Sequence, residues 1–338
     1  MKLLIVTQVM DTEHPILGFF HRWVEEFAKH CEQVHVICLQ EGRHNLPENV
    51  TVYSLGKESG VSRVKYLVRF YRLIFSLRNE YDQVFVHMNQ IYVILGGWLW
   101  HMWRKKVGLW YMHGSVPFTL KIAEKIVDVI FTGSPESFRL PSEKLIITGH
   151  GIDTMHFKPL PEIEKDLDLI TVGRITPSKN LETLIELFAE VRKEKNATLT
   201  IVGGAVSEQE RSHENLLKDK VKELKLEDSV TFLGRVNQTD LPEVLNRSKL
   251  FVTVAQNGSL DKAVLEAMAC GIQVLSMASG TVSLGLGEWQ VERREDFKGK
   301  VLGSQRENHL LSEGNIKKVF EHHSLSSLIP RVLGYLVK

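Results

Sequence analysis

Short β-rich runs alternate with helical patterns along almost the whole chain, and this alternation limits the available folds more than any other feature. In the first half, strands are expected at Leu3–Val9, Val34–Leu39, Val84–His87, Val107–Met112, Val129–Thr132 and Leu145–Thr148. Helices fall between them near Gly18–His30, Val61–Leu77, Tyr92–Trp103 and Thr119–Val127. The second half gives strands at Leu167–Val172, Thr198–Val202, Ser229–Leu233, Leu250–Val254 and Gln273–Ser276. Its helices lie near Leu181–Glu194, Glu214–Leu224, Leu241–Asn246 and Lys262–Cys270. Runs of this kind imply parallel strands covered by helices on both faces. Two such series predict an α/β protein of two doubly wound, Rossmann-like domains.

The 338-residue length is enough for two cores of ordinary size. The join is expected at Pro159-Leu160-Pro161 and the charged segment Glu162–Asp166, giving domains 1–160 and 161–320 with a final helix over 321–338. That last segment, Ser324 to Leu336, contains Pro330, where a kink is expected. A hydrophobic share of 43% with 25% charged residues is that of a soluble globular protein. The net charge of +1 argues against a general nucleic-acid binder. Cys31, Cys38 and Cys270 are scattered, so neither a disulfide framework nor a zinc site is indicated, and His322-His323 lacks metal-ligand spacing. Met1–Thr7 carries one lysine and too short an apolar run for a signal peptide. The apolar stretch Ile91–Trp103, broken by Gly96, Gly97 and His101, falls short of the roughly 20 residues that span a bilayer. A cytoplasmic protein is expected.

Doubly wound domains bind ligands at the carboxyl ends of their strands. The first such loop, Gln8–Gly18, contains no GxGxxG, and no GxxxxGK[ST] occurs in the chain, so a nicotinamide dehydrogenase or P-loop NTPase loses its main support. Gly18 either lets this loop approach a ligand or simply begins a helix. In the second half, Thr171–Leu181 joins a strand to a helix and carries Gly173, Arg174 and Lys179. Two cations on one tight loop suit a diphosphate, Arg by planar bidentate contact and Lys as a point charge. The alternative is an ordinary solvated basic loop. Further on, Ser259–Gly271 reads as a loop, a helix and a glycine stop. Glu266 lies inside that otherwise small and apolar helix, where a carboxylate must find a partner or stay wet. The amides and dipole at the helix start favour an anion.

His113 stands at the tip of the strand Trp110-Tyr111-Met112, where it is either a sugar or phosphate contact or a structural imidazole; His87 has a similar position after Val84–Val86. The segment Val61–Leu77 has no acidic residue. Wound as a helix, it puts Val64, Leu67, Val68, Tyr71, Ile74 and Phe75 on one face and Lys65, Arg69 and Arg72 on another, with Tyr66, Phe70, Leu73 and Leu77 as a further apolar strip. It is either a buried helix with solvated cations or a peripheral contact with an anionic membrane.

The motifs taken together resemble the retaining glycosyltransferases of family 4. The resemblance rests on Gly173-Arg174 with Lys179-Asn180, on Phe232-Leu233-Gly234-Arg235-Val236, on Leu265–Gly271, and on Gly151-Ile152-Asp153 with Phe157-Lys158-Pro159. It implies the GT-B fold, with a last helix that returns to the first domain. It also implies a hexosyltransferase-like activity moving a sugar from a UDP- or GDP-sugar to a hydroxyl of a glycan or lipid-linked acceptor, as in cell-surface polysaccharide or glycolipid synthesis. By the same resemblance Arg174 and Lys179 hold the donor diphosphate and Glu266 receives the ribose hydroxyls. Backbone near Val236 touches the base, and Ser259, Leu260, Asp261 and Lys262 offer loop amides to the phosphates and sugar. His113 is a further candidate. No cofactor and no metal are expected. One departure is plain: Gly258 stands where the family has a second glutamate, eight residues before Glu266. Asp261 either replaces that carboxylate or merely caps the helix. The departure keeps open a donor-binding partner subunit without catalysis; a second enzyme reading, apart from it, is a sugar-nucleotide epimerase or phosphorylase.

Overall fold

The computed structural model describes residues 1–256, 258–304 and 309–337, the side chains of 309–311 excepted. Asn257 and residues 305–308 of the expected 161–320 domain, and Lys338 of the expected 321–338 helix, lie outside the described residues. The chain divides into two compact units, Met1–Asp153 with His322–Lys338, and Thr154–Glu321. The first unit thus ends ahead of the Pro159-Leu160-Pro161 segment.

In the first unit the elements are β1 (Lys2–Met10), α1 (Phe20–His30), β2 (Gln33–Glu41), β3 (Val50–Ser54), α2 (Arg63–Ser76), β4 (Gln83–His87), α3 (Ile91–Met102), β5 (Val107–Trp110), α4 (Phe118–Ile126), β6 (Val129–Thr132) and β7 (Leu145–Ile147). Their strands form one parallel sheet in the order β3-β2-β1-β4-β5-β6-β7. The second unit has β8 (Leu167–Val172), α5 (Leu181–Arg192), β9 (Leu199–Val202), α6 (Glu208–Glu223), β10 (Val230–Gly234), α7 (Leu241–Asn246), β11 (Ser248–Thr253), α8 (Lys262–Ala269), β12 (Gln273–Ser276) and α9 (Arg294–Gly303). Its parallel sheet runs β10-β9-β8-β11-β12. Then α10 (His309–His323) leads out of the second unit, and α11 (Leu325–Val337) lies in the first.

Strand β1 shows why the apolar runs are continuous rather than alternating. Leu3 and Ile5 enter a core shared with α1 and α11, whereas Leu4 and Val6 enter one shared with α2, α3 and α4. Both faces of the strand are therefore covered, as a parallel sheet requires. Helix α11 supplies Leu328, Ile329, Val332 and Leu336 to the first of these cores despite Pro330 in its interior. Its entry is fastened by Ile152, whose N–H donates to His323 O at 2.7 Å and whose carbonyl accepts from Leu325 N at 2.8 Å.

Several elements depart from expectation. Strand β3 is a half-buried edge strand whose mixed sequence VTVYS carries little apolar signal. Helix α6 begins at Glu208, ahead of the expected Glu214; Ser207 caps it by accepting from Glu210 N at 3.2 Å, and its polar first turns hide the period. Helix α2 packs through Phe70 and Ile74, while Val64, Leu67, Val68 and Phe75 of the expected apolar face stay exposed.

His87, at the end of β4, is a packed side chain. Its ring stacks on Phe20 with centroids 3.9 Å apart, and its Nδ1 lies 3.2 Å from Thr7 Oγ1. Burial, with a smaller contribution from His150, pushes its pKa from 6.5 down to about 3. Between those values the unfolded chain binds a proton that the folded chain refuses. Stability is therefore intact above the ordinary imidazole pKa and is lost as pH falls below it, by about 1.4 kcal/mol per pH unit for one such group. His21 and His35, lowered chiefly by burial, act in the same direction. The melting midpoint is expected to drop between pH 7 and pH 5, and to drop less in a His87→Gln variant. Calorimetry at the two pH values checks this; equal drops would remove His87 as a cause.

Candidate active site

In each sheet the strand order reverses beside the first strand of the series, between β1 and β4 and between β8 and β11. Crossovers leave these points on opposite faces, which opens a crevice at the carboxyl ends. In the second unit the loop after β8, Gly173–Asn180, and the loop after β11, beginning at Val254, lie side by side. Gln256 N donates to Ser178 O at 2.8 Å, and Asn180 Nδ2 donates to Val254 O at 3.4 Å.

This pairing brings Lys179 to Asp261, and the two form a partly buried ion pair across 82 residues of sequence. The stem of Lys179 fills the space that a Cβ at Gly173 would need, its Cε being 2.7 Å from that position. Asp261 also caps α8, its other oxygen accepting from Ala263 N at 3.5 Å. The cap was one of the two sequence alternatives; the pairing with Lys179 was not anticipated. Arg174, half exposed, has its Nη1 at 3.4 Å from Glu210 Oε1, and the second oxygen of Glu210 accepts from Val206 N at 2.7 Å. The two cations of the loop thus have different carboxylate partners, one on α6 and one at the start of α8.

Glu266 is 3% exposed, so its charge must be balanced locally. It is: Lys262, one turn earlier on α8, forms an ion pair with it, and Gln238 Nε2 donates to its Oε1 at 2.7 Å. Lys262 Nζ also lies 5.5 Å from the centre of the Phe157 ring. Gln238 is carried by the loop after β10, two residues past the half-buried Val236. Its carbonyl accepts from His156 Nε2 at 2.8 Å, which places the proton on that nitrogen. In the loop leading to α8, Leu260 and Gly258 are buried, whereas Ser259 and Asp261 are half-buried and Gln256 is exposed. The turn after β12 closes on it: a Cβ at Gly280 would lie 2.2 Å from Ser259 O.

The other expected residues belong to the first unit. His113, beyond the end of β5, is exposed. Its Nδ1 accepts from Ser115 N at 3.1 Å, so the neutral ring carries its proton on Nε2 as a donor. Gly18 is held by its own loop, since its N–H donates to His14 O at 3.1 Å and a Cβ there would lie 2.7 Å from Thr12 O. That contact accounts for the glycine without a ligand.

Glu210, Gln238, His156 and Gly203 were missed by sequence reasoning. Gly203 left one signal, a Gly-Gly pair directly after the strand ending at Val202; the three polar residues left none, because their partners are remote in sequence. Cys270, at the end of α8, is buried and its thiol is pushed up to about 12 by that burial, which removes it as a nucleophile near neutral pH. Among the described residues no cluster of three or more His, Cys, Asp or Glu is arranged to hold a metal ion.

Comparison with known proteins gives a family match for part of the chain and a fold match for the whole of it. Residues 153–290 match the family model of glycosyl transferases group 1. Mannosylfructose-phosphate synthase of Agrobacterium fabrum is 30% identical over 149 residues, covering 40% of this chain and 33% of that protein. A probable sucrose-phosphate synthase of Thermosipho melanesiensis is 27% identical over 207 residues, covering 58% and 48%. The chain therefore spans about a third to a half of the length of these relatives. Among solved structures, Anabaena HepE in complex with UDP superposes with a TM-score of 0.80 at 16% identity, over 100% of both chains. Sucrose-phosphate synthase from Thermosynechococcus elongatus superposes with a TM-score of 0.76 at 13% identity, over 98% and 97%. These two likenesses concern the fold alone. The chain thus has the two parallel-sheet α/β architecture of GT-B glycosyltransferases, and its residues 153–290 match the group 1 glycosyltransferase family.

Proposed function

We propose that this protein is a retaining glycosyltransferase that moves a sugar from a nucleoside diphosphate sugar to a hydroxyl of a glycan or lipid-linked acceptor. The observation that carries the reading is the meeting of Lys179, Asp261 and the start of α8 at the β8/β11 switch point, with Arg174 on the same loop and Glu266 one turn inside α8. Solved complexes of HepE with UDP and with UDP-glucose support a donor of this class.

In this reading the ligand-free site is charge-balanced, each cation resting on a carboxylate. A diphosphate exchanges those carboxylates for phosphate oxygens, with bidentate contact from Arg174 and a point charge from Lys179. As the glycosidic bond breaks, negative charge grows on the departing diphosphate, and preformed cations and helix-end amides stabilise it. Glu266, oriented by Lys262 and Gln238, receives the ribose hydroxyls, and the backbone near Val236 meets the base. His113 offers its Nε2 proton to a sugar or phosphate oxygen. Retention follows from attack on the face the diphosphate leaves, with a phosphate oxygen taking the acceptor proton. No metal is required for these steps, since two side-chain cations carry the charge. The setting is synthesis of a cell-surface polysaccharide or glycolipid.

Gly258 in place of a second carboxylate favours one competing reading, a partner subunit that binds the donor without turnover. A thermal-shift series with UDP, GDP, ADP and their sugars tests the proposal. A ligand at a hundred times its Kd stabilises by about 2.7 kcal/mol, so one base is expected to raise the midpoint by about 5 °C or more. No shift with any nucleotide overturns the proposal. A shift without acceptor-dependent release of nucleoside diphosphate decides for the partner subunit.

A further inference from the structure

The first unit carries an apolar and basic surface that its own core does not use. Helix α2 exposes Val64 (71%), Val68 (62%) and Phe75, which stand one or two turns apart along one stripe. Helix α3 packs beside it, for Tyr71 Oη donates to Leu95 O at 3.0 Å and the Phe75 and Trp103 rings meet edge to face at 5.1 Å. It exposes Trp98 (60%) and Met102 (62%), also one turn apart. Scattered exposed apolar residues need no explanation, but two neighbouring helices each presenting a stripe mark an interaction surface.

Charge says what kind of surface this meets. Helix α2 carries Arg63, Lys65, Arg69 and Arg72, all exposed, and no acidic residue; α3 has no acidic residue either. Lys65 and Arg72 follow the exposed apolar stripe on the side away from Phe70 and Ile74, the residues that anchor α2 to the core. Apolar side chains that enter an acyl boundary, bordered by cations at headgroup height, are the chemistry of an interfacial helix on an anionic bilayer. Among the described residues no helix is long and apolar enough to cross a membrane, so contact is from one side.

We infer that the α2–α3 face is a peripheral docking surface for an anionic lipid bilayer. This face lies in the first unit and stands independently of the donor site in the second. The test is co-sedimentation of the whole protein with vesicles of phosphatidylcholine alone and with one-third phosphatidylglycerol. Binding is expected only to the anionic vesicles, weakening as salt is raised. Lys65→Gln with Arg72→Gln is expected to lower partitioning about 30-fold, the loss of two surface charges. Val68→Ser with Trp98→Ser, at exposed positions, is expected to weaken it without altering the melting midpoint. Absence of binding to anionic vesicles, or binding unchanged in both variants, overturns the inference. So does a concentration-dependent dimer that these substitutions dissolve, because the face would then be covered by a second copy.

Discussion

Lys179→Met is expected to lower sugar transfer about 10²–10³-fold, the cost of removing one preorganised charge from a site where an anion departs. Methionine keeps the stem that fills the space beside Gly173, so the substitution removes charge with little loss of packing. Asp261 loses its cation but keeps the amide of Ala263, and α8 retains its cap. The fold should therefore survive, which a melting midpoint close to that of the parent verifies. A double variant with Asp261→Asn separates two roles for the aspartate. If Asp261 only holds Lys179, the double variant is no slower than Lys179→Met, because the two act as a unit. If it also touches the sugar, the losses multiply. A Lys179→Met protein with unchanged turnover removes the lysine, and with it the proposed diphosphate grip.

Gly203→Ala is expected to destabilise the second unit by about 3 kcal/mol or more, in the range of strained or overpacked sites. Gly203 follows β9 with φ +147°, and a Cβ there would fall 1.8 Å from Gly173 O and 2.8 Å from Gly173 C. Both obstructing atoms are backbone, so no side chain can swing away. Relief requires shifting the start of the loop that carries Arg174 and Lys179, and nucleotide binding should weaken together with stability. Thermal denaturation and UDP or GDP titration of the variant measure the two effects. The comparison is Gly299→Ala in α9, where a Cβ meets nothing within 4 Å. A helix interior favours alanine, and this change should stabilise by about 0.5–1 kcal/mol. Similar behaviour of the two variants would mean that the close approach at Gly203 is not rigid.

The parts of the site legible in the sequence are those whose signal is local. Arg174 and Lys179 stand on a strand–helix loop, Asp261 is a favoured capping residue, and Glu266 interrupts a small-residue helix. Each can be read from its immediate neighbours. Their partners could not be read this way. Glu210 lies 36 residues from Arg174, Gln238 lies 28 from Glu266, and Asp261 lies 82 from Lys179. Which polar groups meet across such distances depends on strand order, and five parallel strands leave several orders open. The helices α9 and α10 went unread for another reason: neither shows a clean apolar stripe.

The exposed face of α2 shows the same limit. The 3.6-residue period found the apolar positions but put Phe70 and Ile74 on different strips, whereas the two pack inward together and Val64, Leu67, Val68 and Phe75 face outward. Phe70 and Ile74 turn to the sheet because Tyr92 and Trp100 of α3 offer rings for Phe70 to meet, a contact between segments remote in the chain.

Sequence alone determined the α/β class, the two parallel series and the loops that carry the candidate cations, because hydrophobic period and helix caps are properties of neighbouring residues. Tertiary structure alone decided that β8 lies against β11, that the cations of one loop rest on carboxylates from two distant segments, and that Val64, Leu67, Val68 and Phe75 face outward. The physical reason is that hydrogen-bonded strand order and core packing are set by the whole sheet at once, and no local window of residues contains them.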